Sequence, residues 1–122
     1  MSEARQALGA WGEDQAVNYL RQQGMKILEC NFRTPVGEID IIAKDKKFLA
    51  FVEVKTRRGT AFGTPQEAVG QRKQRQIART AQWYLQSHQN IKLQPRFDVV
   101  AILCQSDGTT LITHLPDAFA LS

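Results

Sequence analysis

Between Gly37 and Gly59 the chain reads GEIDIIAKDKKFLAFVEVKTRRG. Ile, Val, Phe and Ala run on either side of Lys46-Lys47, the pattern of two strands folded back on each other as a hairpin. This hairpin constrains the rest of the fold, because a one-residue slip would turn every side chain to the other face. With Lys46 and Lys47 as the central turn residues, Asp40 falls opposite Glu53 and Glu38 opposite Lys55. Glu53 and Lys55 are two apart and share a face. Carboxylates directly opposite on one face repel each other. A divalent cation such as Mg²⁺, held by one or two carboxylates with water and substrate phosphate, would offset the repulsion. So would a shared proton, and so would Lys55 alone.

The flanking segments supply a domain for this hairpin. Residues 4–23 favour a helix closed by Gly24. Lys26–Arg33, Glu38–Lys44 and Phe48–Thr56 read as strands, with Thr34-Pro35-Val36-Gly37 as a turn. In GTPQEAVGQRKQRQIARTAQWYL, Thr64 can cap a second helix, Pro65 suits its first position and Glu67 completes a capping box; the helix is expected to end near Leu85. Phe97–Cys104 is the most apolar strand, and Asp107-Gly108 turns it into Thr110–Leu115. The order αβββαββ predicts an α/β domain whose mixed sheet is flanked by helices.

At 122 residues, one domain over positions 1–122 is expected. Hydrophobic residues make up 43% and charged residues 23%, so a soluble globular chain is expected rather than a disordered one. Cys30 and Cys104 sit in apolar contexts and are expected to be buried reduced thiols. No run is long enough to span a membrane, and MSEARQALGAWGEDQ has acids where a signal peptide needs apolar residues. A cytoplasmic location without a membrane partner is the expectation.

The net charge of +4 permits a polyanionic partner without requiring one. On the second helix, Arg72, Arg75 and Arg79 project to one side, with Val69, Ile77, Ala81, Tyr84 and Leu85 on the other. Arg57 and Arg58 follow Lys55 directly. Together these could line a phosphate-binding groove, or the arginines could simply form a solvated helical face. Lys73 projects on the apolar side, where it either snorkels or leans into the site. On the first helix, Ala10, Glu13, Ala16, Val17 and Leu20 share an arc. Glu13 either adds a third acid to the site or pairs with a base at the edge of the core. Alternatively, Leu8 and Trp11 define the buried face. His88 and His114 are expected at the surface or a sheet edge, and Trp11, Trp83 and Tyr84 in the core.

Asp40 followed by Glu53-Val54-Lys55 resembles the PD-(D/E)-x-K nuclease signature, with Ile39 in place of its proline. The element order is similar to that superfamily's restriction-endonuclease-like core. More closely, LGAWGEDQAVNYL, GEIDIIA, FVEVKTR, PQEAV and RFDVVAI resemble the YraN-like family of bacterial proteins, from about Leu8 to Leu103. That family looks similar to archaeal-type Holliday junction resolvases. The resemblance implies that Asp40 and Glu53 bind Mg²⁺ or Mn²⁺ with the Val54 carbonyl. It implies Glu13 as the helical acid, acting directly or through water, and Lys55 beside the attacking water and the scissile phosphate. Glu38 and Asp98 match the family pattern without an implied role, and an arginine partner is the preferred reading for Asp98.

The expectation is therefore a metal-dependent endonuclease acting on structured or branched DNA, for which a symmetric junction would favour a homodimer. The alternative is a non-catalytic nucleic-acid-binding or protein-interaction domain on the same fold.

Overall fold

The computed structural model describes residues 3–59, 69–89 and 91–120. Its element order is α1 (Glu3–Gln22), β1 (Lys26–Thr34), β2 (Gly37–Asp45), β3 (Phe48–Arg58), α2 (Gln71–Ser87), β4 (Gln94–Cys104) and β5 (Thr110–Phe119). The strands form one sheet in the order β1-β2-β3-β4-β5. The β3–β4 pair is parallel and the other pairs are antiparallel. This is the anticipated mixed sheet, in the anticipated order.

The two helices cover opposite faces of the sheet. Ile42, Leu49, Phe51, Phe97 and Val99 pack with Ile77, Ala81 and Tyr84 of α2. Ile41, Ala43, Ala50, Val52, Val100 and Ile102 pack with Ala16 and Leu20 of α1. Strand residues are therefore apolar on both sides, which is why β3 and β4 read as nearly continuous hydrophobic runs.

Helix α1 ends as its sequence indicates. Gly24 takes φ 91°, the Gly24 N–H donates to the Arg21 carbonyl, and the Met25 N–H donates to the Leu20 carbonyl. That pair of bonds is a Schellman closure, and Leu20 and Met25 meet in the core beneath it. The buried stripe of α1 is Gly12, Ala16 and Leu20, while Ala10 is exposed. The predicted arc is thus rotated by part of a turn. Gly12 sets the rotation: a methyl group there would collide with the Thr56 side chain, so the helix lies close against β3.

The predicted start of the second helix, Thr64 to Glu67, lies outside the described residues. Within them, helix α2 begins only at Gln71. Gly70 is its N-cap, in an extended conformation (φ −70°, ψ 167°) and without a side-chain capping bond. A glycine in a helix interior costs about 1 kcal/mol relative to alanine, and here it marks the boundary instead.

Two further expectations are corrected. Cys30 is exposed and Cys104 half-buried, because Cys30 lies in edge strand β1. Trp83 is exposed, on the outer side of α2 from Tyr84, while Trp11 packs only partly against the α1-side core. His114 lies in edge strand β5, as expected, and is bonded to a buried carboxylate. His88 is exposed and stacks on Tyr84 at the end of α2. No described helix is long and apolar enough to cross a membrane.

Candidate functional site

The hairpin register is the anticipated one, running from Asp45↔Phe48 to Ile41↔Val52. The ladder stops one pair short of Asp40 and Glu53. Ile41 belongs to the α1-side core and Ile39 to the α2-side core. Residues two apart on a regular strand share a face, so β2 rolls about its own axis at Asp40. That roll turns Asp40 edge-on toward β3, where its Oδ2 accepts the Val54 N–H at 2.8 Å. On β1, between the partners of Ile41 and Ile39, Asn31 takes φ 54°, a conformation asparagine tolerates better than most residues.

Edge-on, Asp40 meets acids from both sides of the sheet. Glu53 follows Leu49 and Phe51 on the α2 side and is only 6% exposed. Burial raises its pKa first, then the charge of Asp40 and a hydrogen bond shared with it; Lys73 and Lys55 pull the other way, and the result is about 8. Glu13 approaches from α1. Burial and then the charge of Asp40 raise its pKa, against a hydrogen bond with Asn31. Asp40 thus stands between Glu53 on the α2 side and Glu13 on the α1 side, with Lys55 acting on Glu53 from the same strand face.

Lys73 does lean into the site: its Nζ lies 3.7 Å from Glu53 Oε2. Asn31 went unrecognised in the sequence, since an asparagine in a strand gives no sign of its backbone conformation. Glu38 stands outside the pair of facing carboxylates. It is exposed, and the Arg33 Nε–H donates to its Oε2 at 3.2 Å.

The arginines divide into two places. Arg72, Arg75 and Arg79 are exposed on α2 and line one groove with Lys73, Gln76 and Val36. Arg57 and Arg58 line a different hollow, with Leu8, Gly9 and Thr56 beside α1. The single basic groove considered from the sequence is thus two separate surfaces.

Among the described residues, no three His, Cys, Asp or Glu side chains stand grouped to hold a metal ion. The fit for a divalent cation rests on fewer donors. A half-buried carboxylate, Asp40, meets a buried one, Glu53, which burial and then the charge of Asp40 drive toward protonation. Hard cations such as Mg²⁺ need only one or two carboxylates and fill the remaining positions with water and phosphate oxygens. The donor set fits that requirement.

Residues 12–102 match the family described as Uncharacterised protein family UPF0102. The chain belongs to this family. A UPF0102 protein of Syntrophotalea carbinolica is 59% identical over 119 residues, which is 98% of this chain and 96% of that protein. One of Trichlorobacter lovleyi is 47% identical over 123 residues, covering 100% and 97%. One of Rhodococcus opacus is 48% identical over 113 residues, covering 93% and 96%. The UPF0102 match spans the acidic group and α2, since Glu13, Asp40, Glu53, Lys55 and Arg72 to Arg79 all fall within it. It is the YraN-like family that the motifs resemble.

Proposed function

We propose that this UPF0102 chain is a metal-dependent endonuclease of the PD-(D/E)-x-K type, acting on structured or branched DNA. The observation that carries the reading is the roll of β2 at Asp40, which sets one carboxylate edge-on against a second, buried one. A packed core gains nothing from that contact, whereas a cation site needs it. Asp40, Glu53 and the Val54 carbonyl are the proposed ligands, with Glu13 acting directly or through water. Bound there, Mg²⁺ or Mn²⁺ supplies Lewis acidity, activating water at neutral pH and offsetting charge on the phosphate.

The chain's own residues do the rest. Asp40 keeps its orientation through the Val54 N–H, and Asn31 holds Glu13. Lys55 is the compact positive charge beside the scissile phosphate, where it stabilises charge that develops during attack. Basic residues outside the site contact neighbouring phosphates and position the substrate without reading its sequence.

The test is incubation of the purified protein with duplex, single-stranded, flapped and four-way-junction DNA, in Mg²⁺, Mn²⁺ or chelator. Metal-dependent cleavage is expected, preferring the branched substrates and lost in both Lys55→Ala and Asp40→Ala while DNA binding persists. Cleavage that survives both substitutions would sink the reading.

One observation favours the alternative, a non-catalytic nucleic-acid-binding domain: Lys73 already supplies a positive charge to Glu53 without a metal. Calorimetric titration with Mn²⁺ separates the two. Heat that vanishes in Asp40→Ala supports the nuclease, and no heat in the unmodified protein supports the binding domain.

A further inference from the structure

Helix α2 holds four of the chain's sixteen Lys and Arg residues and none of its twelve Asp and Glu residues. The other residues therefore carry twelve bases and twelve acids, and α2 alone accounts for the whole net charge of +4. Helix α1, on the opposite face, reads EARQALGAWGEDQAVNYLRQ, with three acids against two bases. The two helices on opposite faces of the sheet therefore differ in charge, +4 on α2 against −1 on α1.

The placement of these bases costs stability. Arg72, Lys73 and Arg75 stand in the first turns of α2, next to the positive end of its dipole, and no acid lies in its first turn. Gly70 provides no side-chain cap there. An isolated helix would be better served by Asp or Glu at these positions. Lys73 has Glu53 beside it, and an anion set against the arginines would stabilise the rest of the arrangement.

The groove along this end of α2 also has an inner end. Lys73 lines it together with Arg72, Arg75 and Arg79, and the same Lys73 reaches Glu53. A second hollow shares Lys73 and Gln76 and continues toward the β1–β2 turn at Thr34 and Gly37. From Arg72 to Arg79 the helix rises about 10 Å at 1.5 Å per residue. Three long basic side chains spread along that length can each reach a phosphate of one DNA strand, whose charges repeat every ~3.4 Å along the duplex axis.

We infer that the α2 face is the track along which a DNA backbone reaches the acidic site, with Arg72, Arg75 and Arg79 on successive phosphates and Lys73 at the inner end. The α1 face, including the hollow with Arg58, is not the entry side. This inference rests on the nuclease reading only for what happens at the end of the track. The track itself is a binding surface that works without metal.

The experiment measures binding of a fluorescent DNA duplex by anisotropy, in chelator, across a series of salt concentrations. The slope of log affinity against log salt reports phosphates neutralised, at about 0.9 per contact on duplex DNA. The triple variant Arg72→Ala/Arg75→Ala/Arg79→Ala is expected to lose about 2.7 from that slope. Replacement of the same three by lysine should restore most of the slope, and Arg58→Ala should leave it unchanged. Thermal melting of each variant checks that the fold is intact.

A triple variant with the unmodified slope, or an Arg58→Ala variant that loses slope instead, would overturn the assignment. So would an unmodified protein that does not bind the duplex at low salt. The two readings fail separately. Metal-dependent cleavage with an unchanged slope removes the track and leaves the nuclease. The expected loss of slope without cleavage in Mg²⁺ or Mn²⁺ keeps the track and removes the nuclease.

Discussion

Two buried carboxylates of the same sheet are treated in opposite ways. Asp98 on β4 is 0% exposed and fully partnered. Arg96 Nε and Nη2 donate to its two oxygens at 2.9 and 2.8 Å, and the Asp117 N–H donates to Oδ1 at 3.1 Å. An ionised carboxylate only accepts, so His114 carries its proton on Nε2, which donates to Oδ2 at 2.9 Å. Arg96 also binds Asp45 at 3.1 Å, and Tyr19 of α1 lies edge-on to the His114 ring. The cluster therefore ties β2, β4, β5 and α1 together. Glu53, by contrast, meets another acid and two lysines. Burial would raise both pKa values. The bonds from His114 and Arg96 hold Asp98 below its ordinary value, while Glu53 is pushed up to about 8. A carboxylate whose partners lie within the fold acts as a structural pin. One that burial and a second acid push toward protonation is the place proposed for a cation.

The largest expected effect breaks the pin. Asp98→Ala leaves Arg96 without its buried partner and should cost about 3–5 kcal/mol. Asp40→Ala, measured without metal, loses one hydrogen bond of about 1 kcal/mol but also relieves repulsion. Urea denaturation of both variants tests the contrast. An Asp98→Ala protein as stable as Asp40→Ala would show that the two clusters do not differ in kind.

Metal should act on one side of the comparison only. At a concentration one hundred times its dissociation constant, Mn²⁺ should stabilise the unmodified protein by about 2.7 kcal/mol. Thermal melting with and without Mn²⁺ should give no such gain for Asp40→Ala. A variant altered only in the pin, such as Tyr19→Leu, should keep the full response.

A smaller effect tests how α1 supports the poised site. Gly12→Ala forces the helix away from Thr56 and should cost about 1–3 kcal/mol, as overpacking does. Glu13, the next residue, moves with the helix, so calorimetry should record weaker Mn²⁺ binding. Unchanged affinity would remove Glu13 from the site.

Local patterning made much of the fold legible. The αβββαββ order, the hairpin register and the Gly24 closure each follow from a few neighbouring residues. The coupling of Asp40 to Glu53 was legible for the same reason, since turn length fixes the register. The roll at Asp40 was not. In GEIDIIA every alternate position is acceptable on either face, and only packing against both helices shows that Ile39 and Ile41 diverge. An arginine was the expected partner of Asp98, and Arg96, two residues away, fills that place. The bond of His114 to Asp98 was not legible, because it crosses from β5 to β4 and no local pattern records that register. The separation of Arg57 and Arg58 from the α2 arginines likewise depends on α1 and α2 packing on opposite faces of the sheet.

Under changing pH the two carboxylates should differ in sign. Asp98 has a folded pKa below its ordinary value near 3.8. Its contribution is fully present above that value and is lost as pH falls through the lower folded pKa. The protein should therefore lose stability in acid below about pH 4, and a version with Asp98 replaced should show a flatter profile there. Glu53 is raised from 4.5 to about 8, so its protonated form is favoured by folding. That contribution is fully present below 4.5 and is lost as pH rises through about 8. Metal-free protein should thus weaken between those values, while Glu53→Gln should change little near pH 5 and gain relative to the unmodified protein above pH 8. Chemical denaturation across the pH range reads both effects. A profile unaltered by Glu53→Gln would mean that Lys73 and Lys55 already satisfy Glu53, making it a second pin rather than a site awaiting a cation.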